Sequence, residues 1–142
     1  LDPISSKEII SKGKKLNKSI FIYGTLAQGL LTGNYRLDTN FTSNDRRSRL
    51  PHFQSKNNKT LVAIINKIIE IGKINRESSA QVVHKWIVSK NISDSSIMGF
   101  SNIKQLNELI SPNKTKLDSN FIEELDYLSN KYVKDTESMW NI

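Results

Sequence analysis

The chain has 142 residues, of which 37% are hydrophobic and 25% charged, a composition typical of one globular domain and too apolar for a disordered chain. It has no cysteine and two histidines, which excludes thiol nucleophiles, iron–sulfur clusters and cysteine-built zinc sites, and we expect no metal. The formal net charge of +7 favours an anionic partner, namely nucleic acid, a membrane surface or a phosphorylated small molecule.

No segment of the sequence predicts a membrane span or a signal peptide. The longest nearly apolar stretch, residues 20–31, is shorter than a span requires and is interrupted by Gly24, Gln28 and Gly29. The N-terminal residues include no initiating Met and no basic leader, so we expect the chain to begin within a longer protein. We predict a cytoplasmic location, with which the absence of cysteine agrees.

The first part of the chain predicts a helix, a strand and a long loop. Two early serines are candidate caps for a surface helix over residues 5–17. Residues 19–23 are a β-branched and aromatic run that Gly24 ends, which predicts a buried strand. Residues 24–56 show no clear period and predict a long loop, a kind of segment that often binds ligands.

Two further helices are predicted from periodicity and capping. Apolar residues recur at helical spacing over residues 58–72, and Gly72 is placed as the helix stop. Ser78 followed by Gln81 is a capping-box pattern, which opens a helix that ends near Ser89.

The remaining sequence predicts a second strand and two more helices. The strand is predicted over residues 95–98, and the same capping-box pattern begins a helix over residues 102–110. Asp118 or Ser119 caps a last helix, and residues 134–142 are predicted to fray. No hairpin turn joins the two strands, so we expect them to pair in parallel. Two strands are too few for a covered parallel sheet, which indicates part of a larger α/β fold.

Two strand-to-helix junctions are candidate ligand sites, because loops at the carboxyl ends of parallel strands bind the ligands of α/β barrels and open sheets. The first junction, residues 23–33, has three glycines that allow close approach of the backbone, and Tyr23 provides an aromatic face. The second, residues 97–108, combines a helix N-terminus with Lys104 and suits a phosphate. A tight turn and ordinary helix capping are the alternatives, and the residues alone leave them open.

Several separate stretches occur together in a recognisable order. They are residues 23–33, Arg47, residues 51–53, 80–83, 86–87 and 97–106. Together they resemble the C-terminal part of the aldo/keto reductases, over about residues 8 to 128. The resemblance implies an α/β fold that is the C-terminal portion of a (β/α)8 TIM barrel, with about two βα units plus terminal helices. It implies that residues 1–142 are a single incomplete domain, without the N-terminal half of the barrel, from an oxidoreductase that reduces aldehydes or ketones with NADP(H).

The resemblance also assigns cofactor-binding residues. Tyr23 matches the aromatic residue that stacks on the nicotinamide ring, and Gly24, Leu26 and Gln28 match the pyrophosphate-side loop after the seventh barrel strand. The loop after the eighth strand, which holds the 2′-phosphate and the adenine side, is matched by Gly99, Phe100, Ser101, Asn102, Gln105 and Glu108.

The chain departs from the family pattern in several respects. Gly24, Thr25 and Leu109 stand where the family commonly has Ser, Pro and the adenine-binding Asn. The family's proton-donor tyrosine and its Asp, Lys and His partners belong to earlier strands, so no catalytic residue is assigned here. We therefore expect this chain to bind NADPH, and to reduce a small carbonyl substrate only if the missing half is supplied.

Two other functions are kept open. One is a non-catalytic cofactor- or anion-binding half-barrel that forms a homo-oligomer through its exposed strand edges. The other is a basic nucleic-acid-binding module built on the arginines of residues 46–49, although no stacking aromatic pattern accompanies them.

Overall fold

The computed structural model describes residues 4–35, 39–54, 58–110 and 116–140, without the side chains of residues 4–7, 51 and 136–140. The elements are α1 (Ile4–Lys15), β1 (Phe21–Ile22), a first 3₁₀ helix (Ala27–Thr32), a second 3₁₀ helix (Arg46–Arg49), α2 (Pro51–Gln54), α3 (Lys59–Asn75), α4 (Ser79–Ser89), β2 (Ser95–Ser96), α5 (Ile103–Ile110) and α6 (Ser119–Trp140). The two strands and the helices α1, α3, α4, α5 and α6 follow the predicted order.

The two strands pair in parallel, as predicted, with Phe21 opposite Ser95. The pairing continues beyond the strands, because the Ile97 amide donates to the Ile22 carbonyl at 2.7 Å. The predicted burial of β1 is wrong: Phe21 is 61% exposed and Tyr23 is 86% exposed. A parallel strand is buried by neighbouring strands and by helices on both faces, and the described sheet has two strands.

The core lies around α3, which packs against α4, α6 and the first 3₁₀ helix. The apolar side chains of α3 recur every three or four residues and therefore form one buried stripe. Among the residues whose burial is described, those with no exposed surface are Leu30, Leu61, Ile64, Ile68, Ile71, Val82, Val83, Leu125 and Tyr132. The first 3₁₀ helix and α4 are thus anchored directly in the core.

The start of α4 has the predicted capping box. The Ser78 hydroxyl accepts from the Gln81 amide at 3.3 Å, and Gln81 Oε1 accepts from the Ser78 amide at 2.9 Å. At the other end of α4, Trp86 is buried and its Nε1 donates to Asp126 of α6 at 2.7 Å. Loss of a capping side chain costs about 1 kcal/mol.

The prediction that Gly72 stops α3 is wrong. The helix continues to Asn75 and ends at Arg76, which adopts the left-handed conformation with φ 56° and ψ 45°. Gly72 instead allows a close approach: a Cβ there would lie 2.7 Å from the Glu77 carbonyl oxygen. The Glu77 amide donates to the Gly72 carbonyl at 2.8 Å, so the turn into α4 packs directly on α3.

Two other expectations differ from the structure. Residues 24–56 contain two 3₁₀ helices and α2 rather than one long loop, because Leu30 and Leu31 insert into the core and fix the chain. The tail predicted to fray over residues 134–142 is helical as far as Trp140, and residues 141–142 lie outside the described part. Across the described residues, no helix is both long enough and apolar enough for a membrane span.

Candidate functional site

Residues from both strand-to-helix junctions line one groove. It has a volume of about 680 Å³ and lies where the chain leaves the carboxyl ends of β1 and β2. Of the residues predicted to bind a cofactor, those lining it are Gly24, Leu26, Gln28, Gly99, Ser101, Asn102, Gln105 and Glu108. Tyr23 and Phe100 lie outside the lining, with 86% and 50% of their surface exposed.

The first wall is the turn after β1 and the first 3₁₀ helix. Gly24 and Gly29 have φ of +67° and +91°, which side chains rarely adopt, so the backbone follows a path that glycine makes accessible. The Thr25 hydroxyl oxygen is buried and has no hydrogen-bond partner among the described residues. An unpaired buried hydroxyl costs about 1–3 kcal/mol, which a ligand in this groove would recover by bonding to it.

Gln28 is oriented from behind this wall by His52. Gln28 is in the left-handed conformation with φ 53° and ψ 33°, and its Oε1 lies 3.0 Å from His52 Nε2. His52 is buried in α2. Burial lowers the pKa of His52 below its usual 6.5. Because Gln28 Oε1 can only accept, the proton of this hydrogen bond is on His52 Nε2.

The second wall is the start of α5. The Gln105 amide donates to Asn102 Oδ1 at 3.0 Å, whereas Gln105 Oε1 accepts from the Ser101 amide at 2.7 Å. The bond from the Gln105 amide to Asn102 is the one that the capping-box pattern predicts, whereas the reciprocal bond of Gln105 Oε1 goes to Ser101 instead of Asn102. The amides of Ile103 and Lys104 have no acceptor in the described part of the chain, and they belong to the positive end of the helix dipole.

The start of α4 forms a third wall that sequence reasoning did not assign to the site. Ser78, Ser79 and Ala80 line the groove. The capping box predicted where α4 begins. That the start of α4 lies beside the two junctions depends on how α4 packs against α5 and the first 3₁₀ helix.

Arg47 is a further groove residue that was not predicted to bind the cofactor, because an arginine in a polar loop is usually solvated. It lines the groove, and its Nε and Nη2 both bond to the Asp45 carboxylate, with the shortest contact at 2.5 Å. The guanidinium carbon lies 4.7 Å and 4.4 Å from the ring centroids of Tyr35 and Phe41. Asp45, two residues before Arg47, is the sequence feature that could have indicated an ordered rather than a solvated arginine. Arg46 is exposed.

Charge in the groove is set by a few side chains. Its charged lining consists of Arg47, Lys104 and Glu108, so positive groups outnumber negative ones. Hydrogen bonds from Arg47 lower the pKa of Asp45 to about 2, and the same contact raises the pKa of Arg47. No group of three or more metal-binding side chains occurs among residues 4–35, 39–54, 58–110 and 116–140. The lining therefore offers both positive charge and backbone donors to a ligand.

Comparisons with known proteins agree with this architecture. The model of the aldo/keto reductase family matches residues 1–130. Aldo-keto reductase str7 of Strobilurus tenacellus and aldo-keto reductase yakc [NADP(+)] of Schizosaccharomyces pombe are each 28% identical over 109 residues, which are 77% of this chain and 32% of those proteins. The chain therefore spans about a third of the length of these relatives.

A solved structure shows the fold. The glycerol dehydrogenase AKR11B4 from Gluconobacter oxydans superimposes with a TM-score of 0.71 at 21% identity, over 93% of this chain and 40% of that one. The described elements thus make up part of a (β/α)8 barrel, with its two parallel strands and the helices that follow them. On the family match over residues 1–130, this chain belongs to the aldo/keto reductase family.

Proposed function

We propose that this chain is the cofactor-binding part of an NADP(H)-dependent aldo/keto reductase that acts on aldehydes or ketones. The convergence of both strand-to-helix junctions on one groove carries the proposal. The family match supports it, and the name of the Schizosaccharomyces pombe relative includes NADP(+). In this proposal residues 1–142 are a single incomplete domain, and the N-terminal half of the barrel is not part of the chain.

The residues present fit a phosphorylated dinucleotide. The buried Thr25 hydroxyl lacks a partner in the described protein, and a Cβ at Gly99 would meet no atom within 4 Å, so the groove is open on that side. Arg47 and Lys104 bring positive charge to the lining. When bound, NADPH supplies the hydride for carbonyl reduction, while the protein provides binding and orientation.

We assign each end of the groove to one part of the cofactor. Gly24, Leu26 and Gln28 would hold the pyrophosphate, and Arg47, which Asp45 holds in the groove lining, would add positive charge beside it. Tyr23, exposed at the end of β1, would stack on the nicotinamide ring.

The other end would hold the adenosine and its 2′-phosphate. The amides of Ile103 and Lys104 and the positive charge of Lys104 would bind the phosphate, with Ser101 and Asn102 beside them in the groove lining. Gly99 and Phe100 belong to the same loop, and Gln105 closes it through the Ser101 amide. Glu108 would contact the adenine side.

Catalysis is expected to need groups beyond this chain. Carbonyl reduction requires a proton donor next to the carbonyl oxygen, and we assign that role to none of the residues of this chain. The chain would therefore bind NADPH alone and reduce a carbonyl compound once the rest of the barrel is present.

A second candidate is a half-barrel that binds an anion and self-associates. The side chains of Phe21, Tyr23 and Ile97 on and beside the two-stranded sheet are 61%, 86% and 58% exposed, which favours association through this face. The nucleic-acid alternative has less support, because the Arg47 guanidinium is already held by Asp45.

The test is thermal unfolding of the chain with and without NADPH. A ligand at about 100 times its Kd stabilises the folded state by about 2.7 kcal/mol, which raises the transition temperature by several degrees. We expect this rise with NADPH and a smaller one with NADH. An unchanged transition at millimolar NADPH would contradict the proposal, and analytical ultracentrifugation of the same sample tests the self-associating alternative.

A further inference from the structure

The Gln81 side chain joins two walls of the groove. Its Oε1 accepts from the Ser78 amide at 2.9 Å, within the capping box of α4. Its Nε2 donates to the backbone carbonyl of Glu108 in α5 at 2.7 Å. One half-buried amide thus uses its acceptor within α4 and its donor across to α5.

The α4 end of this connection is fixed by the core. Val82 and Val83, directly after Gln81, have no exposed surface. The Glu77 amide donates to the α3 backbone at 2.8 Å, and the Glu77 carboxylate, 1% exposed, pairs with Lys85. The start of α4 is therefore positioned independently of any ligand.

The α5 end has little else to hold it. None of the side chains of α5 is buried, and Ile103 and Ile110 are 69% and 67% exposed. The bonds of Gln105 are made to its own neighbours in the chain, Asn102 and Ser101. In the described residues, no other hydrogen bond joins α5 to another helix.

Ser78 and Glu108, the two residues that Gln81 connects, line the groove, whereas Gln81 itself does not. We propose that Gln81 is a positioning residue that sets the distance between α4 and α5 and thereby shapes the adenosine end of the groove. It acts through Glu108 and Leu109, which lie on the groove side of α5. The identity of the ligand rests on the proposed function; the positioning role does not.

The substitution Gln81→Glu separates the two bonds of this side chain. Glutamate keeps the oxygen that accepts from the Ser78 amide and is itself a capping-box residue, so we expect the variant to fold. It removes the Nε2 donor and places a carboxylate oxygen against the Glu108 carbonyl. Gln81→Met removes both bonds and serves as a second variant, and the conclusion does not depend on its folding.

The first measurement is amide hydrogen exchange of the whole chain without ligand. We expect exchange in α5 to rise in Gln81→Glu while exchange in α3 and α4 stays as in the unsubstituted chain. A residue with only a general structural role would raise exchange in all three helices. Unchanged α5 exchange, or a uniform rise, would overturn the positioning role.

The second measurement is calorimetric titration with adenosine 2′,5′-bisphosphate, which represents the adenosine end of NADPH. We expect Gln81→Glu to weaken binding roughly three- to tenfold, the value of one hydrogen bond. Gln54→Glu is the matched control, because it makes the same charge change and breaks a similar bond, from Gln54 Nε2 to the Ser48 carbonyl at 2.9 Å. The control should match the unsubstituted chain in α5 exchange and in affinity.

The outcomes separate the two proposals. If the unsubstituted chain does not bind the bisphosphate, the proposed function fails, and hydrogen exchange alone decides the positioning role. If it binds, and Gln81→Glu loosens α5 without changing the affinity, the effect on the adenosine end is refuted.

Discussion

The first and second walls of the groove are built in opposite ways. The first 3₁₀ helix is held by Leu30 and Leu31, which are 0% and 2% exposed, whereas α5 has no buried side chain. One wall is therefore stabilised by apolar burial and the other by a few polar contacts. A ligand that binds across the groove would contact a wall that is already ordered, the first 3₁₀ helix, and would order the other wall, α5. We therefore expect ligand binding to change the mobility of α5 more than that of the first 3₁₀ helix.

The largest expected effect is the loss of the rigid wall. Leu30→Ala removes a fully buried side chain and should reduce the free energy of unfolding by about 2–5 kcal/mol. Ile103→Ala, on α5 and 69% exposed, should change it by less than about 0.5 kcal/mol. Urea titrations of the two variants measure the contrast, and equal destabilisation would contradict the distinction between the walls.

A smaller loss is expected where α3 meets the start of α4. Gly72→Ala places a Cβ 2.7 Å from the Glu77 carbonyl oxygen, a backbone atom that cannot move away without shifting the turn. Overpacking of this kind costs about 1–3 kcal/mol, more than the helix propensity that alanine contributes. Urea titration measures the loss, and a variant more stable than the unsubstituted chain would show that the turn relaxes freely.

The ion pair of Arg47 and Asp45 in the groove lining can be tested through the pH dependence of NADPH affinity. The pKa of Asp45 is lowered to about 2, so the pair is fully present above the ordinary value of 3.8 and is lost as the pH falls through about 2. NADPH affinity should therefore show no titration from Asp45 between pH 5 and 8. Asp45→Asn should weaken NADPH binding at pH 7, because the carboxylate that holds Arg47 in the groove lining is lost. Titration calorimetry checks both statements.

The smallest expected effect is at His52. Burial lowers its folded-state pKa below 6.5, so stability from this group is present above pH 6.5 and declines as the pH falls below that value. The slope from one proton is at most about 1.4 kcal/mol per pH unit. His52→Gln should remove this contribution, which thermal unfolding of both chains between pH 5 and 8 would show. A slope that persists in the variant would assign it to another group.

The sequence by itself determined the helices that local interactions specify. Apolar spacing located α3, and the Ser78–Gln81 box located the start of α4, because periodicity and capping involve residues three or four apart. It also predicted that the two junctions bind a ligand, and eight of the ten residues predicted to contact the cofactor line the groove. The connection without a hairpin was enough to predict parallel strands.

Only the tertiary structure decided how distant segments meet. Gly72 has the sequence signature of a helix stop, yet it lies inside α3 because the turn at Glu77 packs on it. Arg47 and the second bond of Gln81 matter through partners that the local sequence does not reveal, an aromatic pair in one case and a carbonyl 27 residues away in the other. Burial and cross-chain hydrogen bonds depend on which elements become neighbours, and this is a property of the packed fold rather than of any one segment.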